Sequence, residues 1–248
     1  MKLGSERLSA GYPAAAELVI EGLDIKVDEG EIVSLVGPNG SGKSTLLRAL
    51  ARVLKPKSGV VVLDGKSIAE WPTREVAKRL ALLPQGPVLN AAMTVEELVW
   101  MGRSPHQGIL GLPTAADRQA VELAIEETGI APLAKRQVAL LSGGERQRAW
   151  LAMAIAQQPR VLLLDEPTTF LDLNHQLEVL DLIRQLNRQH GLTVVMVLHD
   201  LNQAARYSSR ICVLKDGRIY GEGAPEAILT PATLREVFQI EAQIIQGP

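Results

Sequence analysis

Residues Gly37-Pro38-Asn39-Gly40-Ser41-Gly42-Lys43-Ser44, followed at once by Thr45-Leu46-Leu47, decide how the rest of the chain is read. They fit the pattern G-x-x-x-x-G-K-[ST], in which successive backbone N–H groups turn inward around phosphate oxygens and a helix opens behind them. Glycines lack the Cβ that would block so close an approach. Lys43 supplies a point charge for β- and γ-phosphates, Ser44 a hydroxyl for Mg²⁺, and the helix N-terminus a partial positive charge aimed at the anion. A glycine turn that merely caps a core helix would leave the spacing of lysine and hydroxyl without a reason. The loop therefore reads as a nucleoside triphosphate site.

Working outward, Ile32-Val33-Ser34-Leu35-Val36 is a short, almost wholly apolar run, as expected of a central parallel strand buried on both faces. Leu18-Val19-Ile20 and Leu23 to Val27 alternate with a period near two, so residues 1–36 are β-rich. Tyr12 stands in a Gly-Tyr-Pro turn, where a tyrosine is more often a packing residue than a base-stacking platform. Behind the loop, Leu46, Leu47, Leu50, Val53 and Leu54 fall at helical spacing until Lys55-Pro56-Lys57-Ser58-Gly59. Val60 to Leu63 is a strand closed by Asp64-Gly65, Arg74 to Leu80 a short helix, and Ala81 to Pro84 a strand end. Gln85 sits just beyond it, and position alone makes it an ordinary loop residue.

The character then changes. Thr94 with Glu97, Thr114 with Asp117 and Ser142 with Glu145 are three capping boxes, opening helices to Met101, to near Gly129 and to Pro159. Strands resume with Val161-Leu162-Leu163-Leu164-Asp165-Glu166-Pro167. One carboxylate there could cap the next helix, but two at the C-terminal edge of a phosphate-loop sheet suit Mg²⁺ and water. Alternation along an extended chain points Asp165 and Glu166 different ways, which allows them different tasks. Asn174 is the expected cap of a helix with Leu177, Leu180, Ile183 and Leu186 inward, stopped by Gly191. Thr193 to Leu198 is another buried strand and delivers His199-Asp200, a position where histidine is commonly structural. A hairpin about Asp216-Gly217 and a helix from Thr230 to Phe238 complete the chain. The expected fold is α/β, a P-loop NTPase with a mostly parallel sheet, helices on both faces and an antiparallel β subdomain. Residues 1–85 and 159–248 would form the core, with 86–158 as an inserted helical subdomain.

Composition narrows the class. With 248 residues and 46% of them hydrophobic, the chain can bury a substantial core. A net charge of −2 gives no broad basic field, against nucleic acid as a partner. The single cysteine, Cys212, lies in an apolar run and reads as a buried small hydrophobe. The longest apolar run, Ala149 to Ala156, falls far short of the roughly 18 residues of a spanning helix, and no basic-then-apolar leader opens the chain. Work at a membrane would go through another subunit.

Leu141-Ser142-Gly143-Gly144-Glu145-Arg146-Gln147-Arg148, between a phosphate loop and an apolar-strand acid pair, resembles the signature of the ABC-type ATPases, and the resemblance covers practically the whole chain. The resemblance implies ATP and Mg²⁺ as ligands, with a RecA-like core. It implies that Tyr12 stacks on adenine, that Gln85 is the Q-loop residue near metal and attacking water, that Asp172 belongs to the D-loop, and that His199 is the switch histidine. It implies Ser44 and Asp165 as metal ligands and Glu166 as the group that orients or deprotonates the water. The signature glutamine of many members is Glu145 here, and the small residues before the D-loop aspartate are Phe170-Leu171. Physically, Ser142-Gly143-Gly144 opens a helix and so forms a second anion site; a helix cap explains Ser142 and Glu145 but not two successive glycines. In the family the two sites combine across a head-to-tail homodimer with ATP between the loop of one copy and the signature of the other.

Met93-Thr94-Val95-Glu96-Glu97-Leu98-Val99 running into Gly102-Arg103-Ser104-Pro105-His106 is similar to the importer ATPases for ferric siderophores, haem and cobalamin. Those couple to a separate permease and a substrate-binding protein, which places the chain at the cytoplasmic face of the inner membrane. Arg148-Ala149-Trp150, Pro167 to Asp172 with Asn174-His175-Gln176, and His199 to Tyr207 most resemble the siderophore members. The segment from Gln85 to Pro105 is the expected link between nucleotide and permease. His106, with no nearby His or Cys, reads as a surface or interface residue rather than a metal ligand. A DNA-repair ABC ATPase would need a long heptad insertion and a translation-associated one two cassettes, and neither fits in this length.

Overall fold

The computed structural model describes residues 2–13, 17–86, 92–108 and 112–245. In chain order the elements are β1 (Leu3–Ala10), β2 (Ile20–Val27), β3 (Ile32–Val36), α1 (Lys43–Leu50), β4 (Ser58–Leu63), β5 (Lys66–Ser67), α2 (Thr73–Ala77), β6 (Leu80–Leu83), α3 (Val95–Met101), α4 (Ala115–Glu127) and α5 (Gly143–Ala156). Then follow β7 (Val161–Asp165), α6 (Leu173–His190), β8 (Thr193–Val197), α7 (Leu201–Tyr207), β9 (Arg210–Lys215), β10 (Arg218–Gly223), α8 (Pro225–Ile228) and α9 (Pro231–Phe238). They form two compact units, residues 1–70 with 193–248, and residues 71–192.

In the first unit β1 pairs antiparallel with β2 and β4, and β4 with β5, giving the expected antiparallel element. Its second layer is parallel where the apolar runs predict it: β3 lies between β8 and β9, parallel to both, and β10 closes the hairpin antiparallel to β9. Every residue of β3 and of β8 is buried, as two-sided burial of a central parallel strand requires. Cys212 on β9 is fully buried, and burial pushes its thiol up to about 12, so it acts as a small apolar side chain. Helix α1 is shorter than its apolar spacing suggests. Arg52 takes a left-handed backbone at φ 59° and ends the helical turn, which leaves Val53 66% exposed.

In the second unit β6 and β7 pair in parallel. All three capping boxes form, at Thr94 for α3, Thr114 for α4 and Ser142 for α5, each hydroxyl accepting the N3 backbone N–H while the N3 carboxylate accepts the cap N–H. The Gln157 side chain, at the end of α5, donates to the Leu80 carbonyl at 2.8 Å and to the Ala77 carbonyl, joining α5 to β6. Buried Arg103 donates to Asp117 of α4 at 2.9 Å and to the Ala156 carbonyl at 2.6 Å. Asn174 is not the cap of α6. Asp172 is, its Oδ1 accepting from the His175 N–H at 2.9 Å, while Asn174 lies in the first turn and donates to Glu178 at 2.9 Å. Gly191 ends α6 in the left-handed region at φ 62°, as expected.

Candidate active site

In the first unit the loop and His199 leave the C-terminal ends of neighbouring parallel strands, β3 and β8, the edge at which open α/β sheets bind ligands. Within the loop, Lys43 is 5% exposed, and its ammonium donates to the carbonyls of Gly37 at 2.8 Å and Pro38 at 2.9 Å, so its charge is held over the cradle. Gly37 has φ 148°, and a Cβ there would stand 2.1 Å from the Leu214 carbonyl oxygen, so no larger residue fits without moving backbone. Gly42 is the N-cap of α1 at φ 98°, with no side-chain cap and no acidic residue in the first turn. Among the described residues the buried Ser41 hydroxyl has no hydrogen-bond partner. A cationic cradle at a helix N-terminus that carries no side-chain cap fits a polyphosphate. Pro38 and Ser44 are half-buried, Asn39 and Gly40 exposed, and Thr45 buried. The Tyr12 hydroxyl receives Arg48 Nη1 at 3.1 Å and Thr45 Oγ1 at 3.5 Å, which ties its ring to α1. His199 is exposed just past β8, and Asp200 caps α7.

The second unit repeats the arrangement. Gln85 follows β6 and the Asp165-Glu166 pair ends β7, again at the C-terminal ends of neighbouring parallel strands. The Asp165 carboxyl is buried. Glu166 is held in the left-handed region at φ 55°, a conformation that non-glycine residues rarely adopt outside constrained sites. Its Oε2 accepts from Gln85 Nε2 at 2.6 Å and from Thr169 Oγ1 at 3.0 Å. Thr169 is thus a functional neighbour that the sequence reading passed over; the only signal was a hydroxyl three residues after the acid.

The signature turn lies in the same unit. Gln85, Asp165, Glu166, Thr169, Gly143 and Arg146 line one cavity of about 220 Å³, so the acid pair, Gln85 and the start of α5 converge. Ser142 accepts from the Glu145 N–H at 3.3 Å, and Glu145 accepts from the Ser142 N–H at 2.8 Å. That backbone bond holds the Glu145 carboxyl below the usual glutamate range. One of the two glycines has a packing reason after all: a Cβ on Gly144 would stand 2.5 Å from the His175 ring. Asp172 is also held below the ordinary aspartate range, first by the His175 backbone N–H. Phe170, in the left-handed region at φ 65°, is 93% exposed. His106 places its Nε2 2.9 Å from the Gln157 carbonyl, and burial pushes its pKa down. Among the described residues no His, Cys, Asp and Glu cluster could hold a metal unaided. The segment from Gln85 to Pro105 is described only in part, since residues 87–91 lie outside the described residues.

The family described as ABC transporter matches residues 20–169. The chain is 47% identical, over 99% of its length and 91% of the relative's, to an iron(3+)-hydroxamate import ATP-binding protein of Bacillus subtilis. It is 44% identical, over 100% of its length and 90% of the relative's, to a ferric enterobactin transport ATP-binding protein of Escherichia coli. Among solved structures, a dimeric bacterial ABC transporter cassette superposes with a TM-score of 0.78 at 29% identity, over 90% of this chain and 98% of that one. By the family match and these likenesses together, the chain belongs to the ABC transporter family, as one of its ATP-binding subunits.

Proposed function

We propose that this chain is the ATP-hydrolysing subunit of an importer that takes up ferric siderophores through a separate transmembrane permease. The observation that carries the enzymatic part is the Glu166 carboxylate, fixed by Gln85 and Thr169 at the end of β7 beside the signature turn. No helix among the described residues is long and apolar enough to cross a membrane, which fits a subunit that reaches the cytoplasmic face through its permease.

The roles follow the phosphoryl-transfer template. Lys43 and the N–H groups of Gly37 and of residues 39–45 hold the β- and γ-phosphates, and Tyr12 offers its ring to adenine. Ser44, Asp165 and Gln85 are the Mg²⁺ ligands that the family resemblance implies, and each can offer an oxygen, the donor that suits Mg²⁺. Mg²⁺, when bound, neutralises charge on the phosphate oxygens. Glu166 orients the attacking water and takes its proton; His199 contacts the γ-phosphate. Ser142, Gly143, Gly144 and Asp172 serve the nucleotide of a second copy, head to tail, so that ATP closes the dimer.

The cargo follows from the siderophore relatives and from the Asn174-His175-Gln176 and Thr168 to Asp172 segments that resemble them. The test is co-purification with the permease expressed alongside it, then ATPase activity in liposomes with the binding protein. Ferric siderophore is expected to stimulate hydrolysis. Stimulation by haem or cobalamin and not by ferric siderophore would move the cargo assignment and leave the ATPase assignment standing.

A further inference from the structure

We propose that His175 is a positioning residue that ties the D-loop aspartate Asp172 to the signature turn Ser142–Gly144, so that the two segments take up one arrangement together. The proposal rests on the reading above, in which both segments serve a nucleotide held by a second copy.

Capping α6 needs only the bond from the His175 backbone N–H to Asp172 Oδ1, at 2.9 Å. The ring adds a second bond to the same oxygen, with Nδ1 at 2.7 Å. An ionised carboxylate can only accept, so Nδ1 carries the proton and donates. The ring also lies against the backbone of α5. A Cβ on Gly144 would meet Cδ2 at 2.5 Å, Cγ at 3.0 Å and Cβ at 3.3 Å, all of His175. One imidazole therefore touches the D-loop carboxylate and the signature turn at once. The neighbours bind the same two segments: Gln176 donates to the Leu171 carbonyl at 2.9 Å, and Glu178 accepts from Asn174 and pairs with Arg148 of α5. A displacement of Asp172 would have to carry the ring, and the ring cannot move toward α5 without meeting Gly144. His175 is partly exposed, so its truncation leaves no buried void.

The test is steady-state ATPase activity of the full chain, with kcat and KM separated, alongside ATP binding and melting temperature. His175→Ala is expected to lower kcat about tenfold, since misplacing groups at a distance from the chemistry costs rate rather than binding. ATP affinity and melting temperature should stay at wild-type values. His175→Asn should recover part of the rate, because its amide nitrogen can take the place of Nδ1. The assignment is overturned if His175→Ala keeps wild-type kcat, or if both variants lose rate equally and in step with melting temperature, as a merely structural residue would. Wild type and Glu166→Gln in the same assay separate the layers. If wild type fails to hydrolyse ATP, or Glu166→Gln is unimpaired, the nucleotide reading fails and takes this assignment with it; if both behave as proposed, a normal His175→Ala sinks the His175 assignment alone.

Discussion

Two helices of this chain begin on a glycine-rich turn, and they are capped in opposite ways. Helix α1 has a left-handed glycine as its N-cap, no side-chain cap and no acid in its first turn, while the buried Lys43 ammonium sits over the loop. Helix α5 is capped by its own Ser142 and Glu145, in a complete capping box. The four leading N–H groups of any helix need partners, and α5 meets part of that need with its own Ser142 and Glu145, whereas no side chain caps α1. In the proposed function the first end takes the phosphates of its own copy's ATP. The second is stable unliganded and can complete a site already occupied elsewhere.

The largest expected effect is on turnover. Glu166→Gln should lower kcat by about a thousandfold, the scale of a lost general base, while ATP binding at the α1 end survives and traps a closed dimer visible by size-exclusion chromatography. An unimpaired rate would remove Glu166 from its role. Lys43→Ala should weaken ATP binding about a hundredfold by calorimetry, because a charge-assisted contact is lost at the one end that binds unaided. A comparable loss of ATP affinity in a Ser142 variant would erase the contrast between the two helix ends.

The glycines sharpen the contrast at smaller scale. Gly37→Ala drives a Cβ into the Leu214 carbonyl at a left-handed φ, whereas Gly144→Ala meets only a side chain. Thermal melting should therefore fall more for Gly37→Ala, and an equal fall would show that the signature turn is as rigid as the loop. The smallest effect concerns pH. The folded-state Glu145 carboxyl titrates below its ordinary value, so its contribution to α5 is fully present above the usual glutamate range and fades as pH falls through the folded value. Hydrogen exchange at the start of α5 should accelerate over that window, while the start of α1, with no acid in its first turn, should show no matching step.

Much of this was legible in the sequence because it is local. Apolar runs gave the buried strands β3, β7 and β8, and three S/T-x-x-D/E spacings gave α3, α4 and α5 with their caps. Strand β1 was harder to place, since Arg7, at φ 46°, interrupts its pairing register and breaks the period of two. The cap of α6 was misplaced by two residues because Asp172 and Asn174 are both good cap types, and only the backbone decides between them. Gln85, His199, Tyr12 and Asp172 carry no chemistry visible in their spacing; family resemblance named them. Thr169 and His175 stayed hidden because their partners, Glu166, Asp172 and Gly144, are recognisable only in three dimensions.

The central claim is that the α1 end of one copy and the α5 end of another make one active site. It is tested most directly by mixing two inactive chains, one carrying Lys43→Ala and the other Ser142→Arg. In a head-to-tail dimer the mixed pair holds one intact loop facing one intact signature, so the mixture should regain about a quarter of the wild-type ATPase rate. A mixture no more active than its separate components, with dimers verified, would contradict the shared site.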